Sequence, residues 1–151
     1  MTRIVPRLIE TALDADAAHA RFMADHGNAG AVATFTGTVR GEDGAVDHLY
    51  LDWYPGMSDT SIEAIANDAA QRFALTALTV LHRVGRVDRG QAIVFVAAAS
   101  RHRRDALNAV DYAMDRLKSE AALWKREGGP GGERWIEPRA ADADDLKRWN
   151  S

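Results

Sequence analysis

Lysine is scarce in this chain, and where it survives is the first chemical clue. Of the 19 basic residues, 16 are Arg and three are Lys, at positions 118, 125 and 147. The bias toward Arg reads as genomic base composition. The surviving lysines still matter, because an Arg stays protonated while a lysine amine can lose its proton when its pKa is depressed. Lys118 and Lys125 stand seven residues apart. On one continuous helix they would share a face roughly 10 Å apart. That spacing can bracket a small anion, and each cation would lower the other's pKa, leaving a nucleophilic or acid–base amine. The alternative is a solvated helix end, where cations are favoured by the helix dipole.

Residues 100–104, SRHRR, form a second candidate. Ser100 is expected to cap a helix from 101 to about 119, which puts three Arg and His102 in its first turn. Cations there oppose the dipole by about a few tenths of a kcal/mol each. One reading is an anion site, with backbone N–H groups, His102 and Arg103 converging on phosphate or carboxylate. The other is a solvated basic turn. A third candidate is residues 35–40, FTGTVR. Gly37 inside a strand suggests a bulge or a close backbone approach. Arg40 falls where a strand meets a loop, a frequent place for ligand contacts, although an ordinary edge Arg fits equally well. His82 reads as a structural or surface histidine, and His19, His26 and His48 lack metal-ligand spacing. GGPGG (128–132) lacks the Lys-Ser/Thr of a phosphate-binding loop and reads as a flexible connection.

These residues need a scaffold. Alternating or continuous apolar runs predict strands at 3–10, 31–39, 46–54, 92–99 and 133–137. Residues 76–87 predict a strand pair or one bent strand interrupted at Gly85. Helical spacing predicts helices at 14–26, from Ser58 or Asp59 to about 73, at 101–119, and at 142–149. Residues 41–44, GEDG, are a turn cluster expected to be mobile. The run at 92–99, AIVFVAAA, has the continuous apolarity of a strand covered on both faces. The pattern predicts an α+β fold, a largely antiparallel sheet with helices on one side. One domain over residues 1–151 is expected, with 139–151 as a tail or short helix.

Composition removes several classes. Net charge is −3, which argues against a general nucleic-acid binder. The absence of cysteine excludes disulfides, thiolate metal sites and cysteine nucleophiles. No apolar run approaches the roughly 18 residues of a membrane span. The first ten residues carry no secretory pattern, so the cytoplasm is the expected compartment.

Six stretches occurring in this order carry a resemblance: GAVATFTGTVR (30–40), YPGM (54–57), HRVG (82–85), IVFVAAASRHR (93–103), MDRLKSEAALWKRE (114–127) and RWIE (134–137). Together they resemble the large, catalytic subunit of molybdopterin synthase, over roughly residues 3–139. The resemblance implies an α/β hammerhead fold with a small antiparallel subdomain. It implies a sulfur transferase with no cofactor or metal of its own. The substrate would be a cyclic pyranopterin monophosphate, converted to the dithiolene of molybdopterin. The sulfur donor would be the C-terminal Gly-Gly thiocarboxylate of a small ubiquitin-like subunit. The assembly would be a homodimer of large subunits within a heterotetramer. Lys118 and Lys125 match the family's catalytic lysines. Thr38, Val39, Arg40, His102, Arg103, Arg126 and Glu127 match substrate-binding positions, as do the two lysines. A cradle of Arg40, His102 and Arg103 would hold the phosphate. Two departures stand out. Ala122 replaces a usual Pro, which implies a looser segment before Lys125. Asp52 and Trp53 replace a Glu-His pair, and Trp53 with the 46–54 run is a candidate interface. A non-catalytic module that holds a phosphorylated metabolite would use the same cationic residues.

Overall fold

The computed structural model describes residues 2–137 and 139–150. Residues 1, 138 and 151, included in the expected domain, lie outside that range. In chain order the first half contains β1 (Arg3–Ile9), α1 (Ala15–His26), β2 (Ala31–Thr38), β3 (His48–Trp53) and α2 (Met57–Arg72). The second half contains β4 (Ala77–Arg83), β5 (Gly85–Asp88), β6 (Ala92–Ser100), α3 (Arg103–Glu120), β7 (Leu123–Gly129), β8 (Gly132–Ile136) and α4 (Ala140–Lys147).

The apolar run of β6 explains the first sheet. It lies inside the order β1-β4-β6-β2, antiparallel to both neighbours, and β1 joins β4 in parallel. Side chains alternate across a strand, so a run apolar at every position needs cover on both faces. Phe95, Ala97 and Ala99 pack with Phe22 of α1. Val94, Val96 and Ala98 face the other way, into the core shared with α2 and α3. The expectation of helices on one side is therefore corrected: α1 lies opposite the other two. The α+β, largely antiparallel reading holds. Among the described residues no helix is long and apolar enough to cross a membrane.

The second sheet, ordered β5-β3-β7-β8, is antiparallel throughout. Residues 76–87 hold two strands rather than one, but the two do not pair with each other. The chain leaves the first sheet after Arg83 and enters the second at Gly85, whose φ of 78° gives a left-handed turn that glycine tolerates. Leu49, Leu51 and Val87 of this sheet pack into the core shared with α2 and α3. GGPGG closes the β7–β8 hairpin instead of forming a free loop, with Gly129 paired to Gly132. The 41–44 cluster is a hydrogen-bonded 3₁₀ turn: Gly44 and Val46 N–H both donate to the Gly41 carbonyl.

Helix starts differ from expectation where a long-range bond claims the capping group. Ser100 belongs to β6, and its hydroxyl donates to the Ala74 carbonyl at 2.7 Å. His102 takes the N-cap position without a side-chain cap, so only Arg103 and Arg104 of the basic run lie in the first turn of α3. Gly56 caps α2, with Asp59 Oδ2 accepting from its N–H, and Ser58 is inside the helix. Asp14 caps α1 through Ala17 N–H, where the sequence places that helix start. α4 ends before Trp149, whose indole N–H donates to Asp115 of α3 at 2.6 Å.

Candidate active site

Lys118 and Lys125 come together, though on different elements from those their spacing suggested. No continuous helix joins them: α3 ends at Glu120, and Lys125 lies on β7. Across the second sheet Lys125 pairs with Leu51, and directly opposed residues share a face. Leu51 is fully buried in the core, so the Lys125 stem runs along apolar surface. Burial first, and the nearby Lys118 ammonium second, lower the Lys125 pKa from 10.5 to about 8, with Asp142 partly offsetting both. At pH 7 about a tenth of the molecules then carry a free amine, against a few in ten thousand at the ordinary value. That is enough for proton transfer near neutrality.

His82 joins this pair, a neighbour that its strand pattern concealed. It follows Leu78 and Val80 along β4 at period two, on the face covered by α2 and α3. Its ring is buried, and Nδ1 lies 2.8 Å from the Arg83 carbonyl. A carbonyl only accepts, so Nδ1 carries the proton and Nε2 keeps a lone pair. Burial is the main reason its pKa falls from 6.5 to about 4; the Arg83 bond opposes this, and the Lys125 and Lys118 charges add to the fall. A neutral imidazole therefore lies within electrostatic range of two amines. This has a stability consequence. Between pH 6.5 and 4 the unfolded chain binds the His82 proton and the folded chain does not, so stability falls as pH falls. The expected loss is about 3 kcal/mol across that window. Urea denaturation of His82→Gln from pH 7 to 4 should show that component missing, whereas an unchanged acid profile would place the sensitivity elsewhere.

The basic run lies at the far end of the first sheet. Ala31, at the start of β2, pairs with Ser100, while Thr38 at its end pairs with Ala92. Eight residues of strand separate those ends by about 25 Å. Along α3, Arg103 and Lys118 are likewise separated by about 22 Å. Arg101, His102, Arg103 and Arg104 line an open cleft of about 400 Å³ with Gly30 and Ala31. All four are exposed. Gly30 has φ 118°, and a side chain there would meet the Arg101 carbonyl. The expected cradle of Arg40, His102 and Arg103 cannot form within one chain, because β2 holds Arg40 at the opposite end from the other two. A second cleft, of about 480 Å³ beside the β7–β8 hairpin, is lined by Glu42, Glu127 and Glu133 with Arg134, an unsuitable set for a phosphate. Lys118 and Lys125 line neither cleft.

The remaining expected residues divide by face. Arg40 is exposed and pairs with Glu42 at 3.2 Å, at the same end of the first sheet as His82. Thr38 is exposed at the bulge after Gly37. Val39 is buried, and its N–H and carbonyl are both taken, by Gln91 and Gly90. Arg126 points away from Lys125 because strand neighbours alternate. It forms a fork to both Asp52 oxygens at 2.9 and 3.1 Å and lies between the Tyr50 and Trp135 rings. Asp52, one of the two departures, thus has a defined partner. Glu127 shares the Lys125 face and pairs with Arg134. Ala122 is not loose: its carbonyl accepts from Ser58 at 2.6 Å, and its N–H donates to Ser61 at 3.0 Å. A proline there could not make the second bond.

Comparison with known proteins gives a consistent result. A family model described as MoaE protein matches residues 8–120. The chain is 53% identical over 129 residues to the molybdopterin synthase catalytic subunit of Caulobacter vibrioides, covering 85% of this chain and 86% of that protein. Its structure is similar to a molybdopterin biosynthesis MoaE protein from Burkholderia ambifaria, with a TM-score of 0.80, 38% identity, and coverage of 100% and 99%. It is also similar to a chain in the complex of subunits 1 and 2 of the molybdopterin-converting factor from Helicobacter pylori. There the TM-score is 0.69 and the identity 25%, with 91% of each chain covered.

Proposed function

The chain belongs to the MoaE family, and on that premise we propose that it is the catalytic subunit of a molybdopterin synthase. The reaction transfers sulfur from the C-terminal Gly-Gly thiocarboxylate of a small ubiquitin-like partner to a cyclic pyranopterin monophosphate. Two transfers build the dithiolene of molybdopterin, each leaving a carboxylate on the spent tail. The observation that carries this reading is a half-buried lysine amine, tuned to about 8, beside a second lysine. Such a pair can stabilise developing negative charge and move protons at the reacting carbon. The donor sulfur arrives on another chain, so a catalytic subunit without cysteine suits the chemistry.

Substrate binding in this reading needs two copies. Lys118, Lys125, Thr38, Val39 and Arg40 belong to one end of the molecule, while His102 and Arg103 belong to the other. A homodimer that brings the basic end of one copy to the lysine end of its partner completes a cationic site for the phosphate. Arg126 contributes by holding β3 to β7 through Asp52, and Glu127 by fixing the β7–β8 hairpin. The small partner's tail reaches the lysines where neither open cleft lies. The chain acts as a single domain, in the cytoplasm, with no cofactor of its own. The test is reconstitution: purified chain, thiocarboxylated Gly-Gly partner and cyclic pterin phosphate should yield the dithiolene product. No product with a competent partner and substrate would refute the reading.

A further inference from the structure

The turn that joins the two lysines is fixed from outside. α3 ends at Glu120 and β7 begins at Leu123, so Ala121 and Ala122 alone set the direction in which Lys125 leaves relative to Lys118. Two hydroxyls from the first turns of α2 hold this link. Ser58 Oγ accepts from Tyr54 N–H at 3.0 Å and donates to the Ala122 carbonyl at 2.6 Å. Ser61 Oγ accepts from Ala122 N–H at 3.0 Å and donates to the Ser58 carbonyl at 2.8 Å. Each hydroxyl is used as both donor and acceptor, and both backbone groups of Ala122 are satisfied by α2. Ser58 is completely buried. A serine chosen only for helix formation gains nothing from burial.

We propose that Ser58 and Ser61 are positioning residues for the lysine pair, a two-hydroxyl clamp that fixes the α3–β7 turn and so the placement of Lys125 beside Lys118. This rests on the reading of the lysines as the reacting centre. A short turn with unsatisfied backbone groups samples several conformations, and a misplacement of about 1 Å can reduce a rate by about a hundredfold. The clamp acts through the backbone and touches no substrate, so its loss moves kcat more than the KM for the pterin.

The test combines Ser61→Ala, Ser61→Thr, Ala122→Pro and the double variant Ser61→Ala/Ala122→Pro, each in the full chain with its partner. Lysines are labelled by ¹³C reductive methylation and followed by NMR against pH. Ser61→Ala should lower kcat about tenfold or more with KM changed by less than about twofold. The Lys125 methyl titration should move up, toward the ordinary lysine value. Ser61→Thr, which keeps a hydroxyl, should restore both. In the Ala122→Pro background there is no N–H to hold, so adding Ser61→Ala should have little further effect. A lower melting temperature with unchanged kcat and an unchanged Lys125 titration overturns the proposal, as does a full Ser61→Ala effect in the proline background. The titration needs no substrate. A shift seen in a chain that makes no product would uphold the clamp and defeat the catalytic reading, so the two failures are distinguishable.

Discussion

Lys118→Ala is expected to reduce product formation by about 10²–10⁴-fold while leaving the fold intact. Lys118 is exposed at the last turn of α3, so truncation removes no core contact. Its loss also removes a charge that holds the Lys125 pKa down, so the Lys125 pKa rises and fewer free amines are present at neutral pH. The variant therefore damages both members of the pair. Lys118→Arg separates catalysis from binding. Arg keeps the charge but cannot exchange its proton. A module that only holds a phosphorylated metabolite would tolerate the change, and its affinity for the pterin phosphate would survive. A proton-transferring amine would not survive it, and turnover should fall nearly as far as in Lys118→Ala. Product formation within about threefold of the parent in Lys118→Ala would remove this residue from the chemistry.

The second large effect is complementation between copies. Arg103→Ala and Lys125→Ala should each be severely impaired alone, because each damages both composite sites of a homodimer. When the two variants are mixed and allowed to exchange subunits, a mixed dimer has one site carrying both lesions and one carrying neither. A statistical pool then regains about a quarter of the parent activity. Mixing Lys118→Ala with Lys125→Ala should regain nothing, because both lesions lie at the same end of the chain and every site carries one. The assay is product formation in the reconstituted mixture before and after exchange. Recovery in the second mixture, or none in the first, would contradict a site built from opposite ends of two copies. The geometry behind this expectation is simple: β2 and α3 each keep their two ends more than about 20 Å apart, and no side chain spans that distance.

Local patterns in the sequence were legible where local forces decide. Asp14 and the helix after it, the strand at 92–99 and the break at Gly85 all follow from capping, periodicity and glycine's backbone freedom. Family resemblance supplied the antiparallel subdomain. What local reading missed was set by distant partners. Ser100 did not cap a helix because Ala74 claims its hydroxyl. His82 read as an ordinary strand histidine because the amines beside it come from α3 and β7. Ala122 read as a loosening change, but two serines of α2 hold it. Arg126 and Lys125 are adjacent in sequence yet face opposite ways, which only the pairing of β7 with β3 decides. The scarcity of lysine singled out two residues that the fold places within electrostatic range of each other, while the continuous helical face expected between them was the wrong geometry. The basic run and Arg40 both stood out as anion-binding candidates, but the register of β2 against β6 was needed to see that they are at opposite ends.

The most direct measurement is the pH titration of Lys125 in the intact chain, alone and with Lys118→Ala, read from ¹³C-dimethyl-lysine resonances assigned by substitution. A shared reacting centre predicts a Lys125 midpoint at about 8, moving upward when Lys118 is removed. A Lys125 midpoint at the ordinary 10.5, indifferent to the loss of Lys118, would show two unrelated surface amines and contradict the account.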